Sequence, residues 1–132
     1  MRIQEASRQS GMRPKTIRFY EEIGLVRPAA RSANGYRQFN DTDVRTLKFI
    51  ARARKLGFSV EDIQKLLSLW QDKKRASADV KKLALAHADE IEARIRELES
   101  VKQAVLDLAD HCHGDDRPEC PIIDELADGN AG

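Results

Sequence analysis

The sequence lacks any long apolar run, and only 5% of its 132 residues are aromatic. A membrane-spanning helix needs about 20 mostly apolar residues, so none is predicted. The polar start of the chain is unlike a signal peptide. We therefore expect a cytoplasmic protein whose packing is mainly aliphatic. The chain also lacks a phosphate-binding glycine loop and a nucleophile elbow, which argues against an enzyme.

Cysteine is scarce as well, with only Cys112 and Cys120 in the whole chain. In a cytoplasmic protein such residues are more often reactive or metal-binding than joined in a structural disulfide. The near-zero net charge of +1 hides an asymmetry. Residues 1–60 carry 13 Lys and Arg against five Asp and Glu, whereas residues 61–132 carry 10 against 17. This pattern favours a polyanion-binding head on an acidic body.

Turn-forming residues divide the head into short elements. Residues 3–9 are predicted to form a helix that stops near Gly11, and Pro14 suits the first turn of a second helix that ends at Gly24. Lys15 and Arg18 of the second helix share a face. The pattern is typical of a helix-turn-helix. An ordinary helical hairpin with solvated basic residues is the alternative.

A hairpin is predicted next, because the dipeptide Asn34-Gly35 is a strong short-range hairpin signal. Arg31, Tyr36 and Arg37 flank it, and such residues suit a DNA-binding wing. Two further helices follow. Asn40 and Ser59 are their predicted N-caps, and Gly57 separates them. An apolar stripe on the fourth helix is interpreted as core. The basic residues before Gly57 form a second contact or a solvated face; these are Arg52, Arg54 and Lys55.

A long helix is predicted from 78 to 111, a stretch without proline or glycine. Apolar or small residues recur there at steps of three or four, which is typical of a coiled coil. A single apolar seam of this length needs a partner, most economically the same helix of a second copy. Folding back on the head is the alternative. The seam consists of Val80, Ala84, Ala88, Ile91, Ile95, Leu98, Val101, Val105 and Leu108.

The two cysteines of the tail are compatible with several kinds of site. Two thiolates without an obligatory third ligand suit a soft ion such as Cu(I). Zinc prefers four ligands, which His111 and His113 would complete, although adjacent His-Cys-His spacing is poor for one tetrahedral site. A redox pair and two inert cysteines are the other interpretations. Pro121 suits the first turn of a short final helix. Asp115 and Asp116 are interpreted as solvated turn formers.

Three motifs carry a resemblance to a known family. Residues 16–22 (Thr-Ile-Arg-Phe-Tyr-Glu-Glu), followed by Gly-Leu, resemble the signature of the MerR family of transcription regulators, and residues 31–37 resemble its wing. The turn at 57–59 is similar to its second wing. The cysteine loop and the following Pro-Ile-Ile resemble those of the copper-efflux regulator subgroup.

The resemblance implies a mainly α fold with four parts. A winged helix-turn-helix DNA-binding domain covers 1–70 and a connector covers 71–77. The helix at 78–111 forms an antiparallel dimerisation coiled coil, and a metal-binding loop with a short helix lies in 112–132. The implied partners are a second copy of the chain, a palindromic double-stranded promoter and RNA polymerase.

The resemblance also implies site residues. Cys112 and Cys120 would bind one Cu(I), Ag(I) or Au(I) as inducer, and Ser77 of the partner subunit would face the loop and select against divalent ions. A helix N-cap is the alternative role of Ser77. The metal-bound dimer would distort promoter DNA and switch on copper-efflux genes, with the final helix as the element ordered by metal. The implied DNA-binding residues are Lys15, Thr16, Arg18, Tyr20, Arg31, Asn34, Tyr36, Arg37 and Arg54.

Overall fold

The computed structural model of the protein describes residues 1–115 and 117–128. Within these residues the chain forms a mainly α fold, as predicted, with one short hairpin near the N-terminal end. In chain order the elements are α1 (Ile3–Ser10), α2 (Pro14–Glu22), β1 (Ala30–Arg31), β2 (Arg37–Gln38), α3 (Asp41–Lys55), α4 (Val60–Gln71), α5 (Ser77–Asp110) and α6 (Pro121–Asp128).

The predicted helix-turn-helix is formed by α1 and α2. Gly11 ends α1 with a φ of 76°, and its N–H donates to the carbonyl of Ser7 at 2.9 Å. This left-handed conformation favours glycine because it places no Cβ against the preceding turn. Pro14 then begins α2, where its missing N–H leaves no helical hydrogen bond unmade.

The predicted hairpin is confirmed, but its tip is a three-residue loop. Strands β1 and β2 are antiparallel, with Ala30 opposite Gln38 and Arg31 opposite Arg37. The N–H of Ser32 donates to the carbonyl of Tyr36 at 2.8 Å. Gly35 has a φ of 79°, whereas no described non-glycine residue has a positive φ. A two-residue type I′ turn needs two such residues, so Asn34 does not form one.

Side-chain caps define the starts of α3 and α4. The side chain of Asn40 accepts from the N–H of Asp43 at 2.8 Å, and the Asp43 carboxylate accepts from the N–H of Asn40 at 3.0 Å. The Ser59 hydroxyl accepts from the N–H of Asp62 at 3.1 Å. These bonds satisfy N–H groups that have no partner within a helix.

The buried apolar side chains of the described residues all lie between positions 3 and 67. Each fully buried aliphatic side chain contributes about 1.5–3 kcal/mol to stability. The predicted stripe of α4 takes part, since Ile63 and Leu67 belong to the core and the partly buried Leu66 and Trp70 pack against it. The core consists of Ile3, Ala6, Met12, Ile17, Tyr20, Leu25, Phe39, Val44, Leu47, Ile50, Ala53, Phe58, Ile63 and Leu67.

The chain divides into two compact units, Met1–Leu83 and Ala84–Gly132. Helix α5 has 34 residues, which corresponds to about 50 Å, and it begins and ends one residue earlier than the predicted 78–111. Its apolar seam is largely exposed, from 40% at Ile91 to 68% at Leu98. No helix among the described residues combines the length and the apolar character that a membrane crossing requires.

Candidate functional site

Helix α2 buries one face and exposes another. Ile17 is fully buried and Tyr20 is 6% exposed, so the side chains of both residues belong to the core of the head. Lys15 and Arg18 are exposed, and Thr16 is half-buried. Two of the predicted DNA-binding residues therefore present cations to solvent, whereas a contact from Tyr20 stays a prediction.

The wing is held together by its own arginine. Arg31 is exposed, and its Nη1 donates to the carbonyl of Gly35 at 2.8 Å, across the loop that joins the two strands. Asn34 is exposed at the same tip, and Tyr36 is 52% exposed. Three of the four predicted wing residues, Arg31, Asn34 and Tyr36, therefore lie at the surface.

A buried carboxylate joins the wing to α2. Glu21 is only 9% exposed, and its Oε1 lies 2.9 Å from Nε of Arg37 in β2. Its Oε2 accepts from the N–H of Ala29 at 2.9 Å. The Arg37 side chain is 29% exposed, so the pair is partly buried, and such a pair is screened less by salt than an exposed one. Glu21 thus fixes the wing relative to α2, a role that the sequence prediction missed.

Four arginines line one recess between the wing and the first two helices. Its volume is about 210 Å³. Arg18, Arg31, Tyr36 and Arg37 were predicted as DNA contacts, and the structure brings them together here. Arg2 was not predicted, yet its guanidinium carbon lies 4.2 Å from the centre of the Tyr36 ring. Lys15, Thr16 and Asn34 are not among the residues that line this recess.

Arg54 contacts its own turn. Its Nη1 donates to the carbonyl of Phe58 at 3.0 Å, which ties the end of α3 to the start of α4 across Gly57. This bond uses part of the guanidinium and fixes its direction. A DNA contact from the rest of the group stays a prediction.

The two thiols of the tail meet at the start of α6. Both cysteines are free and half-buried. Cys120 directly precedes α6, and its carbonyl accepts from the N–H of Asp124 at 3.0 Å. The pKa of the Cys120 thiol is lowered, first by a hydrogen bond from the backbone N–H of Ile123 and then by one from the Cys112 thiol. Burial opposes this shift, as does the negative charge of Asp124.

The polar neighbours of the thiols have partners of their own. Nδ1 of His111 lies 2.6 Å from the carbonyl of Asp107. The carboxylate of Asp115 accepts from Nε of Arg117 at 2.8 Å, and this bond lowers the pKa of Asp115. Asp115 thus acts in the turn, as predicted, while Asp116 lies outside the described residues. Ser77 is exposed and is the first residue of α5, so it does not precede the helix as an N-cap does.

Two family models match most of the chain. One, described as the MerR HTH family regulatory protein, matches residues 1–70. The chain belongs to the MerR family. A second model, described as MerR, DNA binding, matches residues 44–108. This MerR-family protein is accordingly a transcription regulator and not an enzyme.

Relatives of this MerR-family chain extend over nearly its whole length. It is 54% identical to heavy metal-dependent transcription regulator 2 of Rhizobium meliloti (strain 1021), over 99% of this chain and 89% of that protein. It is 45% identical to the regulator CueR of Salmonella typhimurium, over 96% and 92%. Among solved structures, PbrR691 of Ralstonia metallidurans CH34 in complex with lead(II) is 29% identical, with a TM-score of 0.81 over 96% and 98%.

Proposed function

We propose that the protein is a metal-responsive transcription activator that senses Cu(I), and also Ag(I) or Au(I), through Cys112 and Cys120. The observation that carries this proposal is the contact of the two thiols at the start of α6, where the Ile123 N–H favours the thiolate form of Cys120. Thiolate ligands select soft ions such as Cu(I), and a thiolate is the form that binds metal.

The charge of the site favours one monovalent ion for each cysteine pair. Two thiolates and one +1 ion leave a net charge of −1. The backbone N–H groups of Ile122 and Ile123 at the positive end of α6 offset such a charge. We also propose that Ser77 of a partner subunit faces this loop and withholds a third thiolate from divalent ions.

The donor set around the thiols supports the same choice. Zinc requires three or four protein ligands. Within the described part of the loop, the Asp115 carboxylate is already engaged by Arg117. The names of the relatives point in the same direction, since they include a heavy metal-dependent regulator and CueR.

The DNA-binding part of the proposal concerns a homodimer on a palindromic promoter. The exposed seam of α5 supports an antiparallel coiled coil between two copies, and the head supplies one DNA-binding surface for each half-site. Metal binding would bias a two-state dimer toward the state that distorts the promoter for RNA polymerase. Deforming a site of this kind costs on the order of 1–6 kcal/mol. The division into 1–70, 71–77, 78–111 and 112–132 belongs to this proposal.

Competition titration tests the metal assignment. Reduced protein is titrated with Cu(I) against a chelator of known affinity, and Zn(II) is titrated in parallel. We expect tight Cu(I) binding that is lost in Cys112→Ser and in Cys120→Ser, while both variants retain DNA binding. His113→Ala is the matched control and should retain Cu(I). Tight Zn(II) with weak Cu(I), or loss of folding in Cys112→Ser, would contradict the assignment.

A thiol-redox regulator of the same fold is the second candidate, because the same contact between Cys112 and Cys120 favours disulfide formation. Attack by a thiolate is the first step of such chemistry. Treating metal-free protein with a mild disulfide oxidant and measuring promoter opening distinguishes the candidates. Activation by oxidant without metal favours the redox function, and activation only by Cu(I) favours the metal sensor.

A further inference from the structure

We propose that Arg2 is a further DNA-backbone contact, and that it forms with Arg18 and Arg31 a site for one phosphate of the promoter. The site is the recess between the wing and the first two helices. This inference rests on the proposed DNA-binding function, because a nucleic-acid phosphate is its ligand. Arg2 lies outside every motif that indicated a DNA contact.

The backbone of Arg2 is held on two sides. Its carbonyl accepts from the N–H groups of Glu5 and Ala6, both at 3.1 Å, and so begins α1. The preceding residue exchanges two backbone hydrogen bonds with Phe39, at the base of the wing, each 2.7 Å long. The position of Arg2 is therefore fixed relative to both α1 and the wing.

The side chain of Arg2 is stacked but not neutralised. Its guanidinium carbon lies 4.2 Å from the centre of the Tyr36 ring. Stacking on an aromatic ring uses the flat face of the guanidinium, and the N–H groups at its edge remain able to donate to phosphate oxygens. Among the described residues Arg37 has a carboxylate partner in Glu21, whereas no carboxylate is paired with Arg2.

The charges of the recess favour an anion. Arg2, Arg18 and Arg31 bring three cations to one cavity of about 210 Å³, while Glu21 compensates the charge of Arg37. Guanidinium groups bind phosphate through paired hydrogen bonds. Because phosphate contacts set the register of a protein on DNA without reading sequence, Arg2 should contribute to affinity and not to discrimination between sequences.

Salt-dependent DNA binding tests the role of Arg2. The probe is a duplex that the wild-type protein selects from a random-sequence library, and binding is measured by fluorescence anisotropy over a range of salt concentrations. The slope of log K against log salt is negative, and loss of one phosphate contact reduces its magnitude by about 0.9, hence by about 1.8 for a dimer on two half-sites. We expect this change in Arg2→Gln and little change in Arg2→Lys.

Two controls distinguish a phosphate contact of Arg2 from a general effect of charge and from a structural role beside Tyr36. Arg8→Gln removes the same charge from α1, outside the recess, and should leave the slope unchanged. Preference for the selected duplex over a scrambled one should persist in Arg2→Gln, whose fold is checked by thermal unfolding. An unchanged slope, even with weaker binding, would overturn the inference, since Arg2 would then only support Tyr36. If the wild-type protein selects no duplex, the proposed DNA-binding function fails instead.

Competition with inorganic phosphate, at constant ionic strength, separates the two sources of a phosphate group. A site built for DNA should release the duplex only to competing DNA. If inorganic phosphate displaces the duplex from wild-type protein but not from Arg2→Gln, the recess is a free-phosphate site and the DNA-contact inference is wrong.

Discussion

The head and the long helix differ in the burial of their apolar side chains. The head buries its aliphatic residues in a core of its own, whereas α5 leaves the seam from Ile91 to Val105 between 40% and 68% exposed. Apolar exposure on this scale marks an interaction surface more often than a free one. The difference teaches that one short chain can contain a region with an apolar core of its own and, among the described residues, another region whose apolar side chains stay exposed.

The largest expected effect contrasts the two regions directly. Ile50 is fully buried in the head, so Ile50→Ala should lower the free energy of unfolding by about 2–5 kcal/mol. Leu98 is 68% exposed, so Leu98→Ala should chiefly weaken the proposed dimer, in which we expect this side chain to be packed. Denaturant unfolding and sedimentation at several protein concentrations measure both effects.

Leu85→Ala is the matched control on α5, because Leu85 is 56% exposed and does not belong to the seam. It should leave the dimer intact. Equal dimer weakening by Leu85→Ala and Leu98→Ala would show that the seam is not the interface, and the contrast between the two regions would break down.

A smaller effect is expected where the head fixes its wing. Glu21→Gln removes the buried negative charge beside Arg37 and leaves that half-buried guanidinium without its ion-pair partner. Loss of one partner of a buried polar pair costs about 1–3 kcal/mol. Hydrogen exchange of the hairpin should accelerate and DNA binding should weaken. The neighbouring Glu22 is exposed, so Glu22→Gln should change neither quantity; a similar effect of both variants would contradict the role of Glu21.

The smallest expected effect concerns the thiol at the start of α6. Because folding lowers the pKa of Cys120, the stability that its thiolate contributes is fully present above the pKa of an unfolded thiol. That stability is lost as the pH falls through the lower value. Cys112→Ala removes one of the two largest causes of the shift, so the pKa of Cys120 should rise while staying below its ordinary value.

The pH dependence of alkylation of metal-free protein measures this pKa, and the unfolded protein gives the reference. An unchanged pKa in Cys112→Ala would show that the two thiols do not interact. A pKa equal to the reference would show that the Ile123 N–H does not stabilise the thiolate.

Local sequence signals predicted most of the fold because the elements of the head begin and end with them. The predicted helix ends agree with the structure: Gly11 ends α1 and Pro14 begins α2. The N-caps of α3 and α4 are Asn40 and Ser59. The loop of the wing differs, since Asn34-Gly35 suggests a two-residue turn, whereas the hydrogen-bonded pair of Ser32 and Tyr36 closes around three residues. The loop length follows from the strand register, in which Arg31 lies opposite Arg37. The local preferences of Asn34 and Gly35 do not specify that register.

The parts of the site that sequence reasoning missed depend on long-range contacts. Glu21 is paired with Arg37, 16 positions further along the chain. Its neighbour Glu22 has the same side chain but is exposed, so residue type alone does not distinguish the two. Arg2 meets Tyr36 from the far end of the head. The two cysteines were predicted as a pair because they are close in sequence. The sequence did not predict that the Cys120 sulfur accepts a hydrogen bond from the Ile123 N–H in the first turn of α6.

The position of Cys120 before α6 links the chemistry of one sulfur atom to a helix–coil equilibrium. An isolated helix of eight residues is shorter than the 12–15 residues or so that are marginally stable in water. The unfavourable step is nucleation, in which the first turn is fixed before propagation can begin. The Cys120 sulfur accepts hydrogen bonds in this turn. We therefore expect that protonation, alkylation or ligation of that atom changes the stability of the first turn, and that the segment from Pro121 to Asp128 responds as one unit.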